Sequence, residues 1–133
     1  MGNFTRVLLR PSALLALACM VLHAFANGHY GFFRDELYFI VCGQHPDWGY
    51  VDQPPLVPLL AAGSYALSGG SLLAFRLLPM LAHAATVGLT AEFARVLGGG
   101  RFSQWLAGLC ILLAPIPMLM GVLFYTDMFQ ALT

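Results

Sequence analysis

Three apolar runs divide the chain. The first covers Pro11 to Phe33, with no charge between Arg10 and Arg34. The second begins near Phe75 and continues to about Phe93, broken only by Arg76 at its start and Glu92 at its end. The third is uncharged from Phe102 to Tyr125. A helix needs about 20 residues to cross ~30 Å of hydrocarbon, so each run is long enough to span a bilayer. Spans are expected over about 11–30, 75–95 and 102–125. A fourth apolar stretch, Pro54 to Leu67, stops short at Ser68-Gly69-Gly70-Ser71. Its length suits a helix lying along the membrane surface rather than one crossing it. Arg34 to Cys42 reads as another short helix, with Leu37, Ile40 and Val41 on one face and Gly43 as its C-terminal stop.

Composition points the same way. The 133 residues are 59% hydrophobic and only 9% charged, with a mean hydropathy of +0.78. Soluble domains are about 45–50% apolar and about 25% charged. The fold class expected is therefore an all-α polytopic membrane protein, with three transmembrane helices and two surface helices in an external loop over about 28–73. Zero net charge argues against a nucleic-acid partner, which a basic surface would recognise. Cys19, Cys42 and Cys110 have no paired spacing, so neither a disulfide framework nor a zinc site is expected.

The arginines set the orientation. With Pro54–Leu67 lying flat, Arg6, Arg10, Arg95 and Arg101 all fall on one side, and Asp35, Glu36, Asp47, Asp52 and Asp127 on the other. The positive-inside rule then makes the N-terminus cytoplasmic and the acidic side external. A cleaved secretory signal is the competing reading of residues 6–26, given Arg6, Arg10 and the Ala24-Phe25-Ala26 tripeptide. The chain stops inside what reads as a further helical segment, Met128 to Leu132, as the N-terminal piece of a longer protein would.

Ionisable residues at a membrane are costly and point to function. Asp35 and Glu36 open the Arg34–Cys42 helix, where the helix dipole favours carboxylates and a simple capping role accounts for them equally well. Adjacent helical residues point about 100° apart, so at most one of the two serves chemistry while the other caps or orients. Asp52 precedes Pro54-Pro55 on a stiff extended connection, and Asp127 follows the third run. Such carboxylates fit a hard divalent cation, Mg or Mn, or a general base with partners that tune it. Arg76, at the outer start of the second run, suits a lipid phosphate or simple snorkelling. His29 and His45 lie in the loop, and His23 and His83 inside spans, where helix packing is the expected role.

Arg34-Asp35-Glu36-Leu37-Tyr38-Phe39 followed by Gly49-Tyr50-Val51-Asp52-Gln53-Pro54-Pro55-Leu56 resembles the integral-membrane glycosyltransferases related to protein O-mannosyltransferases and lipid A aminoarabinose transferases. Phe75-Arg76-Leu77-Leu78-Pro79, Arg95-Val96-Leu97-Gly98-Gly99 and Tyr125-Thr126-Asp127-Met128 continue the resemblance in order. It implies a GT-C fold and transfer of a sugar from a polyprenyl-phosphate donor to an external protein, lipid or glycan acceptor. It further implies Asp35, with Glu36 beside it, as the catalytic centre. Asp52 and Asp127 would organise the site, through a divalent metal if one is used, and Arg76 and Asp52 would meet the donor. Gln53 departs from the pattern, because many relatives carry His or Lys there. The alternative is a non-enzymatic polytopic protein, a transporter segment or assembly subunit, whose external acids bind a cation or cap helices.

Overall fold

The computed structural model describes residues 10–27, 29, 31–51 and 53–124. Among these residues the chain is all-helical, without a strand: α1 (Pro11–Ala26), α2 (Arg34–Gln44), α3 (Leu56–Ser68), α4 (Leu72–Phe75), α5 (Leu77–Val96), α6 (Arg101–Leu113) and α7 (Pro115–Val122).

Helices α1, α5, α6 and α7 pack on one another as a bundle. Pro11 opens α1 at a position where its missing N–H is one of the helix's unbonded donors anyway. α1 closes at Asn27, whose N–H bonds the His23 carbonyl. Its 16 residues reach about 24 Å, so the helix is shorter than the first apolar run. α5, with 20 residues and about 30 Å, is the one described helix long and apolar enough to cross a bilayer alone. Within it, Thr86 and Thr90 bond back to the carbonyls of Ala82 and Thr86, so neither hydroxyl is left bare.

α1 and α5 run antiparallel. At one end Arg10 meets Glu92 at 3.4 Å, and Arg95 reaches the same carboxylate at 2.6 Å. At the other end Arg76, just before α5, reaches the Asn27 carbonyl just after α1. The core between them is Leu15, Cys19, Ala84, Val87, Ala91 and Leu112.

The third apolar run is not one straight helix. α6 ends at Leu113, Ala114 turns extended (φ −65°, ψ 129°), and α7 departs at 62°. Pro115 explains the break: it has no N–H for the helical ladder, and its ring forces the residue before it out of the helical region. If the bent pair crosses as one broken span, the described residues offer two candidate crossings.

α2 and α3 pair beside the bundle, packed on each other, and α3 also packs on α4. α3 has the short length expected of the fourth apolar stretch and stops at Gly69 in the left-handed conformation (φ 58°). α2 differs from expectation in two respects. It buries Glu36, Phe39, Ile40 and Cys42, leaving Leu37 and Val41 exposed. It also runs through Gly43 to Gln44. Gly43 is there for space: a Cβ would run into the Pro58 carbonyl and the Ala62 methyl of α3. The second core is Phe39, Ile40, Val57, Ala61, Phe75 and Phe124, in which Phe75 stacks obliquely on Phe124 at 5.1 Å.

Polarity is distributed against the habit of soluble bundles. His23, Asn27, Glu36, Arg76 and His83 are buried, whereas Leu17, Phe25, Phe93, Leu113 and Ile116 are each more than half exposed.

Gly43 and Gly63 give a paired test. Gly43→Ala overpacks the α2–α3 contact and should cost about 1–3 kcal/mol, while Gly63→Ala, with open space around it in α3, should gain about 0.5–1 kcal/mol from helix propensity. Thermal unfolding in detergent micelles reads both; equal effects at the two positions would contradict the packing described.

Candidate functional site

The site grows from the start of α2. Phe33 occupies the N-cap with an extended backbone but has no side-chain acceptor to offer. Glu36, three residues on, supplies the other half of a capping arrangement: its Oε2 accepts the Phe33 N–H at 2.8 Å. The same carboxylate faces Arg76. Arg76 Nε donates to Oε1 at 2.8 Å and Nη2 to Oε2 at 2.7 Å, a side-on, two-pronged pair with both side chains fully buried.

Backbone groups complete the environment. Arg76 Nη2 also donates to the Gly31 carbonyl at 2.9 Å and Nη1 to the Asn27 carbonyl at 3.4 Å. The Phe124 N–H donates to Glu36 Oε1 at 3.3 Å. Four parts of the chain therefore meet on two side chains: the turn after α1, the start of α2, the α4–α5 junction and the strip after α7. Arg76 can reach inward because α4 and α5 are broken there; its backbone (φ −80°, ψ 2°) belongs to neither helix.

Asp35 lies elsewhere on the same turn. It is half-buried, with its carboxylate 3.2 Å from the exposed Arg34 Nε. The angular separation of neighbouring helical residues has thus sorted the pair, Glu36 into the interior and Asp35 toward the rim. Arg76 sits against Glu36 rather than extending along the surface. Asp52 and Asp127, the expected companions and cation ligands, lie outside the described residues. In the loop, Tyr50 Oη bonds the Cys42 and His45 carbonyls at 2.6 and 3.1 Å, which ties the Gly49–Val51 segment to the end of α2.

A cavity of about 550 Å³ adjoins the pair. Its wall is apolar (Ala26, Phe32, Phe33, Leu119, Val122 and Leu123 among others) and includes Arg76. Asn27 is buried beside it, and both polar atoms of its amide lack a hydrogen-bond partner among the described residues.

A second cluster lies deeper in the bundle and was not expected. Cys19, His23 and His83 are all buried, with one ligand atom from each within 4.8 Å of the others, and could hold a metal ion. Cys19 and His23 are four residues apart on α1, a spacing that puts them on one face. That spacing was the available signal; the third member comes from another helix and has no mark of its own in the sequence.

No protein-family model, curated protein or solved structure matches this chain.

Removing one partner of a buried ion pair strands the other's charge. Glu36→Ala should cost about 3–5 kcal/mol, whereas Asp35→Asn, at the rim of the same turn, should cost about 1 kcal/mol or less. Chemical unfolding of both variants in micelles checks this; comparable losses would contradict the inward and outward assignments.

Proposed function

We propose that the chain is part of a polytopic membrane enzyme of GT-C type that transfers a sugar from a polyprenyl-phosphate donor to an acceptor at the external membrane face. The observation that carries this reading is the apolar cavity with Arg76 in its wall, directly beside the helix start bearing Asp35. An isoprenoid phosphate needs an apolar channel ending near a cation, and this cavity is apolar with Arg76, paired to Glu36, in its wall. The apolar exterior of the bundle supports lipid as its solvent, since an outer face rich in Leu and Phe is costly in water. Arg10 and Arg95 gather at the end of the bundle opposite Glu36 and Arg76, in keeping with a cytoplasmic N-terminus and an external site.

In this reading Asp35 is the base. Its carboxylate takes the proton of the acceptor hydroxyl or amine as that atom attacks the anomeric carbon. The bond from that carbon to the donor phosphate breaks, and the phosphate leaves with the electron pair. One displacement on one face inverts the anomeric centre. Arg76, in the cavity wall, is the cation assigned to the leaving phosphate. Glu36 is a positioning residue that holds Arg76 and shapes the first turn of α2. Asp52 and Asp127 would complete the site, with a Mg or Mn ion between carboxylates if one is bound, and the acceptor would be a protein, lipid or glycan.

Membranes containing the full-length protein of which this chain is part, supplied with a polyprenyl-phosphate carrying radiolabelled sugar, should transfer label to an endogenous acceptor, whereas purified residues 1–133 alone should transfer none. Asp35→Asn should lower that rate about 100-fold or more at unchanged membrane insertion, the usual contribution of a general base. Undiminished transfer in both Asp35→Asn and Glu36→Gln would contradict the catalytic reading of the pair, and no transfer by the unaltered protein would favour a non-enzymatic transporter segment or assembly subunit.

A further inference from the structure

The geometry points to a buried binding site for a single borderline-soft d-block cation of the zinc class, held by Cys19, His23 and His83 at the centre of the bundle. It is separate from the carboxylate site at the external rim and independent of the reading given to that site. Cys19 and His23 project from consecutive turns of α1, and His83 faces them from α5. His23 Nε2 lies 2.7 Å from His83 Nδ1, and Cys19 Sγ lies 3.5 Å from the same nitrogen.

These spacings are close to those of a tetrahedral site. With metal–sulfur bonds of about 2.3 Å and metal–nitrogen bonds of about 2.0–2.1 Å, a sulfur and a nitrogen sit about 3.5 Å apart and two nitrogens about 3.3 Å apart. The Cys19–His83 distance is already there. The two imidazoles share a proton at 2.7 Å and need to part by about 0.6 Å, a small rotation of each ring, to admit an ion. The facing nitrogens then carry lone pairs and the outward nitrogens, His23 Nδ1 and His83 Nε2, carry the protons. Cys19 gives up its thiol proton, so one proton leaves for each ion bound.

The donor set decides the class of ion. One thiolate and two imidazoles, with no carboxylate among them, favour zinc, cobalt and their neighbours over magnesium or calcium. The surroundings fit a ligand site better than a packing contact. α7 meets the cluster with Gly121. A Cβ there would lie 2.7 Å from His83 Nδ1 and 2.8 Å from His23 Nε2, on top of the two donor atoms. Glycine at this point keeps the donors uncovered while α7 closes the site.

Cobalt(II) is the probe, titrated into the purified metal-free chain in detergent micelles. The expected result is one equivalent bound, with the d–d bands of a tetrahedral centre and a thiolate-to-cobalt charge-transfer band. Zinc should displace these bands, and one proton should be released per ion. Cys19→Ser, a near-isosteric change, should abolish the charge-transfer band, while Cys110→Ser on exposed α6 leaves it intact. Gly121→Ala should weaken binding at least about 10-fold, the scale on which disturbed ligand geometry acts. Far-UV circular dichroism of each variant establishes that its helices are retained. Absence of stoichiometric cobalt binding by the unaltered chain, or a charge-transfer band that persists in Cys19→Ser, would overturn the proposal.

Discussion

Burying an arginine and a glutamate together removes both from solvent at a penalty of several kcal/mol per ion, about the most expensive arrangement a small helical protein can adopt. Arg76 and Glu36 accept that penalty and recover it through geometry. The guanidinium presents two parallel N–H bonds to the carboxylate and two more to backbone carbonyls, and the carboxylate takes two further N–H bonds from Phe33 and Phe124. Asn27, Gly31 and Phe33 belong to the connection between α1 and α2, and Phe124 follows α7. The pair thereby fixes where α1 ends, where α2 begins, where α4 hands over to α5, and where the chain passes after α7. The α2–α3 pair has its own apolar core, and the bundle has another. Phe75 and Phe124, next to Arg76 and to the Glu36 contact, are the residues through which the second core is continuous with this joint.

The inverted distribution of polarity fits the membrane setting proposed for the chain. In an apolar medium every polar group must find a partner within the protein, so polar side chains collect inside and hydrocarbon faces outward. Glu36 and Arg76 obey this at the rim, and Thr86 and Thr90 obey it within α5. Cys19, His23 and His83 meet one another inside the bundle in the same way.

Much of the helical layout was legible in the sequence because apolar run length and turn residues act locally. α2 and α3 lie where the period and the Ser-Gly-Gly-Ser boundary put them. The break at Pro115 is an equally local signal, one that the expectation of a single span over 102–125 did not include. The face of α2 was misjudged because Leu37 and Val41 look like core residues, whereas Glu36 is the one turned inward. Its partner, forty positions away, carries no local signal. Arg76 reads as a surface anchor until the opposing carboxylate is seen. The Asp35–Glu36 division was legible from helix geometry, but its direction was not. The chemistry assigned to Asp52 and Asp127 lies outside the described residues.

A double-mutant cycle on Glu36→Gln and Arg76→Met tests the central claim most directly, because it isolates the energy that exists only when both groups are present. If the pair is the joint of the structure, the two changes should be strongly non-additive in unfolding experiments, with a coupling energy of about 2–3 kcal/mol and the double variant more stable than Arg76→Met alone. A coupling energy near zero would mean that the four connections are held by something else.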